Sequence, residues 1–199
     1  MKGYFRTAAL LAVLLLAGCG QKPETAPPAD NGTAAQPAED PAPAVEELGR
    51  EETTELIFSV EGEAEVIPAT LYVGQGYSIY IPDEGWRLEQ HVDDGIPEDT
   101  WESVLNGDVE LTVARYTGKT LTEARDLFMR DCDYVFEDGM GGELGDPLTG
   151  TDEDGDYLRF MAAEGAGTVY VISWEYPAEA AEGFGARLGQ MAGTFQVTE

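Results

Sequence analysis

The sequence predicts an α+β domain: a mainly antiparallel sheet of about six to seven strands with two principal helices packed on it. Three observations predict it. Asn106-Gly107 sits between two strand-like runs, and the second run alternates Val109, Leu111 and Val113 with Glu110, Thr112 and Ala114. Thr120-Leu121-Thr122-Glu123 has the form of a capping box that opens a helical pattern. The apolar runs YLRFMAA and TVYVISWEY then read as two long strands, and Pro177 after them suits the first turn of a second helix.

Taken in order, TELIFSVEGEAEVIPATLY predicts two strands around a turn at Glu61-Gly62. GYSIYIP predicts a third, with Tyr77, Ile79 and Ile81 on one face and Pro82 ending it. WRLEQHV predicts a fourth. TWESVLNGDVELTVARY predicts a hairpin with a tight primed turn at Asn106-Gly107. In the helix that follows, Leu121, Ala124, Phe128, Cys132 and Val135 recur at spacings of three and four, the stripe of a core-facing helix. The glycine-rich stretch 138–147 ends it. The last helix spans about Ala178 to Ala192, where Gly183, Gly185 and Gly189 lower helix propensity and either admit close packing or divide it.

The charge is lopsided: 39 acidic against 11 basic side chains in 199 residues, a net −28. Losing residues 1–18, which carry Lys2 and Arg6, takes it to −30. Such a surface repels phosphate, so nucleic acid is excluded as a natural partner. It also repels anionic head groups, so charge does not hold the chain to a membrane. Solubility is the simple benefit. Cys19 and Cys132 are the only cysteines, too few for a disulfide framework or a multi-thiol metal site.

The N-terminus has a basic start and an apolar run from Ala8 to Ala17. A spanning helix needs about 20 apolar residues, so the pattern is that of a signal peptide. Its end, Leu16-Ala17-Gly18-Cys19, resembles the lipobox of bacterial lipoproteins. The resemblance implies cleavage before Cys19, lipid on its sulfur, and a place on the outer face of the cytoplasmic membrane. Acyl chains anchor through about 0.8 kcal/mol per buried methylene and are indifferent to the acidic surface. Residues 20–49 hold six of the eleven prolines and almost nothing large and apolar. Such a composition predicts a disordered tether reaching about 30 Å or more. The expected organisation is therefore a signal peptide over 1–18, lipidated Cys19 and a tether over 19–50, and a globular domain over 51–199.

Two phrases, GYSIYIPDEGW and YPAEAAEGFGARLGQMAGTF, together with the order of elements, resemble the small extracytoplasmic lipoprotein domains of Gram-positive anaerobes, which are similar to the Mog1/PsbP-like α/β/α sandwich. That resemblance implies a non-catalytic binding or envelope-interaction domain with no shared catalytic residues. No cofactor is expected. The expected partners are the membrane, through Cys19, and an envelope component or protein.

Two rival chemistries stand beside this. TDEDGDY offers Asp152, Asp154 and Asp156 as weak calcium ligands. An EF-hand type loop also requires glycine at position 6 and glutamate at position 12, where this chain has Tyr157 and Ala163. A hairpin turn on Asp154-Gly155 accounts for the stretch more simply. A carboxylate hydrolase would need two acids with separated pKa values in a deep cleft, or His91, the only histidine. GMGGELG lacks the spacing and the strand–helix context of a phosphate loop. Cys132 falls on the apolar stripe and reads as a core residue. Trp86, Trp101, Trp174 and Tyr176 are aromatics that either line a binding groove or pack in the core and at its edge; Trp174 lies in an apolar run and reads as core. Trp101, expected to start a short strand after a loop, is the best candidate for an exposed ligand contact.

Overall fold

The structure, a computed structural model, describes residues 48–60, 62–136 and 142–198. The signal peptide, Cys19 and nearly all of the tether lie outside the described residues. β1 (Thr53–Val60) and β2 (Glu63–Gly74) form the first hairpin, closed at Gly62 with φ +84°. Leu56 and Phe58 of β1 point inward while Ile57 between them is exposed, the period-two pattern of a sheet with one covered face. β3 (Tyr77–Pro82) pairs with β2, and the short β11 (Gln196–Val197) pairs with β3, giving a four-stranded sheet in the order β1-β2-β3-β11.

The other sheet has seven strands. β4 (Trp86–Asp93), β5 (Ile96–Ser103), β6 (Glu110–Thr117), β7 (Val135–Phe136), β8 (Leu148–Thr151), β9 (Tyr157–Gly165) and β10 (Thr168–Tyr176) lie in the order β4-β5-β6-β10-β9-β8-β7, every pair antiparallel. The mainly antiparallel α+β class read from the sequence is the class observed, with the four-stranded sheet as an addition to it.

The large sheet separates two hydrophobic cores. Leu111 and Val113 of β6, with Tyr170, Ile172 and Trp174 of β10, face the core shared with the small sheet. Ala114 and Tyr116, with Val169, Val171 and Phe160, face the core under α1. Each large apolar side chain fully buried this way contributes about 1.5–3 kcal/mol. α1 (Leu121–Asp131) begins at the expected box: the Thr120 side chain accepts from the Glu123 N–H, and the Glu123 carboxylate accepts from the Thr120 N–H. Ala124 is its fully buried residue. The stripe ends sooner than the spacing predicts, because Cys132 is already extended and Val135 belongs to β7, where it is exposed.

The terminal helix is divided. A 3₁₀ turn over Ala178–Ala180 leads into a π turn over Ala181–Gly185, and only Ala186–Ala192 is α-helical, as α2. Leu188, Met191 and Ala192 of α2 are buried in the core shared with the small sheet. Among the described residues no helix is long and apolar enough to cross a membrane.

Two hairpins depart from expectation. β5 and β6 are joined by residues 104–109 rather than by a two-residue turn. The Asn106 side chain accepts from the Asp108 N–H at 3.0 Å, which builds a wider loop around it. The tight primed turn lies instead at Asp94-Gly95, with φ +45° and +85°, between β4 and β5. β5 therefore starts at Ile96 and runs straight through Pro97.

Candidate functional site

A groove of about 380 Å³ opens where the β1–β2 hairpin, the β5–β6 connection and the terminal helical segment meet. Its lining is largely apolar: Phe58, Ile67, Trp86, Phe184 and Met191. The size suits a small ligand. Trp86 and Phe184 meet edge to face, with ring centroids 6.4 Å apart at 88°. At the lip stand Val104 and Leu105, 63% and 80% exposed. The wide β5–β6 connection holds them there, and the Val104 N–H donates to the Gly85 carbonyl at 2.9 Å. Gly85 has φ +91°, a left-handed conformation that lets the chain turn sharply from β3 into β4 beneath the lip.

The polar part of the groove is small. Arg187 on α2 donates from Nη2 to Glu65 of β2, and its guanidinium carbon lies 5.9 Å from the Phe184 ring centre. The Arg187 Nε is buried and has no hydrogen-bond partner. Glu84 and Ser103 are the other polar groups of the lining.

A second, smaller cleft of about 160 Å³ lies on the α1 side of the large sheet. Strand register sets its chemistry. Glu110 of β6 stands directly opposite Glu102 of β5 and Glu175 of β10. Burial, then the charges of Glu175, Glu102 and Glu98, push the Glu110 carboxyl up to about 7. Burial also raises Glu175, against the hydrogen bond from the Tyr134 hydroxyl. Burial raises Glu98 too, opposed by His91, whose Nε2 lies 3.0 Å from the Glu98 carboxylate. Cys132 lines this cleft, and burial raises its thiol, which keeps it protonated and a poor nucleophile.

The sequence candidates fall in different places. Trp101 is a correction: it is 3% exposed, in the middle of β5, with the Tyr72 ring edge-on at 5.0 Å. The Asp94-Gly95 turn starts β5 at Ile96, four residues earlier than a loop through Asp99 would, and the register sets Trp101 opposite the fully buried Leu111, on the inward face. Trp174 is buried as expected. Asp152, Asp154 and Asp156 form the turn between β8 and β9. The Asp152 carboxylate accepts from the N–H groups of Asp154 and Asp156 at 3.0 and 2.9 Å. Asp156 accepts from the Ala178 N–H at 3.2 Å. Among the described residues no three His, Cys, Asp or Glu side chains are grouped to hold a metal. Cys19 lies outside the described residues.

Of the aromatics expected as possible groove lining, Trp86 lines it and Trp101, Trp174 and Tyr176 do not; the rest of the groove was not legible, because its walls come from five separated segments. A further signal was available: Val104-Leu105 is an apolar pair beside a turn, where loops are otherwise polar.

No protein-family model and no curated protein matches the chain. Among solved structures it is similar to the solution structure of cyanobacterial PsbP (CyanoP) from Synechocystis sp. PCC 6803, at 15% identity over 65% of this chain and 92% of that chain, with a TM-score of 0.46. The likeness is one of fold and carries no statement about activity.

Proposed function

We propose that this chain is a lipid-anchored, non-enzymatic binding domain at the outer face of the cytoplasmic membrane, moored through Cys19, which takes a ligand in the groove beside Trp86. The observation that carries the reading is the groove itself, an aromatic and aliphatic hollow with Val104 and Leu105 held in water at its lip. Exposed apolar surface of this kind costs solubility, and a binding site is the usual return for it. The lipobox supports the anchoring, and the acidic surface of the domain keeps it off anionic head groups.

Tryptophan emission tests the groove. Trp101 and Trp174 are buried, so Trp86 is the fluorophore whose surroundings a groove ligand changes. A medium-chain amphiphile below its micelle concentration is expected to shift the emission saturably. Trp86→Phe is expected to silence the response and Leu105→Asp to weaken it. A response that survives Trp86→Phe unchanged refutes the groove as the site.

A further inference from the structure

We infer that β4 is the seam of a symmetric dimer: it pairs antiparallel with β4 of a second copy of this chain, with the two-fold axis at Gln90, and joins the two seven-stranded sheets into one.

The first ground is an open edge. β4 ends the order of the large sheet and pairs, among the described strands, with β5 alone. Its eight residues match β5 one to one, without the bulge, proline or lysine that commonly blunts an edge. The direction of its backbone groups follows from its partner. The Val104 N–H donates to the Gly85 carbonyl, and Pro97, which has no N–H, stands opposite Val92. Bonded and unbonded pairs alternate along an antiparallel ladder. Arg87, Glu89, His91 and Asp93 therefore direct their N–H and C=O groups to β5. Those of Leu88, Gln90 and Val92 point out along the free edge.

The second ground is what stands beside that edge. Leu88 and Val92 share one face and are 38% and 66% exposed. Gln90 between them is fixed, donating to the Asp99 carboxylate at 2.8 Å and to the Tyr72 hydroxyl at 3.1 Å. A second strand laid against the edge covers both apolar side chains.

The third ground is charge, and it names the occupant. With the axis at Gln90, Arg87 faces the partner's Asp93, Glu89 faces the partner's His91, and Leu88 faces the partner's Val92, each pair occurring twice by symmetry. Arg87 holds Glu102 at 2.6 Å in its own chain and has donors to spare for a second carboxylate. Other registers fail. Moving the axis to Glu89 sets that residue against itself and Arg87 against His91. Moving it to His91 sets Glu89 against Asp93. The other long edge, β1, carries Glu55 as its one charge and selects no register. A chain of net −28 repels its copies over most of its surface, so association favours the strand where opposite charges meet.

Sedimentation of the full chain as Cys19→Ser, so that no acyl chain takes part, tests the seam. A reversible dimer with a dissociation constant below about 1 mM is expected, weak because one strand pair is a small interface. Arg87→Glu and Asp93→Lys each set like charges opposite at two places, and each is expected to weaken the dimer at least about tenfold. An equimolar mixture of the two variants is expected to recover association to within about threefold of the parent, since every charge then meets its opposite. The double variant in one chain should do the same. Hydrogen exchange on the parent is an independent reading: the amides of Leu88, Gln90 and Val92 should slow as the concentration rises. A monomer at every concentration, a dimer indifferent to both single substitutions, or slow exchange at those amides that does not depend on concentration overturns the inference; the last result means that the chain covers its own edge.

Discussion

Replacing Glu110 by glutamine should remove a penalty on stability that grows as the pH rises. Glu110 faces Glu102 on β5 and Glu175 on β10 across the ladder, with Glu98 and His91 farther along the same face. Arg87 on β4 reaches Glu102 at 2.6 Å, and the Tyr134 hydroxyl reaches Glu175, so the neighbours have partners of their own. The folded carboxyl titrates at about 7, raised from 4.5. The proton is therefore held more tightly in the folded chain than in the unfolded one. The stabilisation that this gives is fully present below about pH 4.5 and is lost as the pH rises through 7. At about 1.4 kcal/mol per pH unit of displacement, the loss approaches 3 kcal/mol by pH 8. Urea unfolding of the parent chain and of Glu110→Gln at about pH 5 and pH 8 measures it. Carboxylates that do not feel the Glu110 charge titrate alike in both proteins and cancel in the comparison; Glu175, Glu102 and Glu98 do feel it, so the difference reports the cluster that Glu110 completes. The parent should lose about 2–3 kcal/mol more than the variant between the two conditions. Equal losses, or a parent that gains on the variant as the pH rises, would refute the reasoning.

Three further outcomes are expected. Gly76→Ala should cost about 2–4 kcal/mol in urea unfolding, since φ is +80° there and an added Cβ would stand 2.1 Å from the Tyr170 hydroxyl oxygen. A cost under about 1 kcal/mol would show that this close approach is not needed. Millimolar calcium should leave the melting temperature unchanged within about 1 °C, because among the described residues no three His, Cys, Asp or Glu side chains are grouped to hold a metal and Oδ1 of Asp152 already accepts from its own turn. A rise of several degrees would bring the calcium reading forward. Cys19→Ser should move the chain from the membrane fraction to the soluble one on fractionation, and retention on the membrane would remove the anchor from the proposal.

Local chemistry was readable from residues that act on near neighbours. The Thr120 box worked because its four residues cap one another without help from the rest of the chain. The β9 and β10 runs were readable because burial on both faces leaves few polar positions. Long-range pairing was not readable. β11 is two residues long and exists only because β3 offers it an edge more than a hundred residues away. The wrong turn choice had a specific cause. Both Asn106-Gly107 and Asp94-Gly95 carry the primed-turn signature, and Pro97 beside the second is a residue that strand interiors usually exclude. The structure settles it with β4 at the sheet edge and β5 beside it, and that choice buried Trp101. The groove depends on side chains from distant segments, and no periodicity brings those together.

β10 belongs to both cores at once: Val169 and Val171 on one side, Tyr170, Ile172 and Trp174 on the other. It acts as a shared wall between two rooms, so neither room can be emptied alone. Loosening the contents under α1 shakes the strand that also supports the small sheet, and both cores should give way in one cooperative event. The amide protons of β10 should be the last in the chain to trade with deuterium.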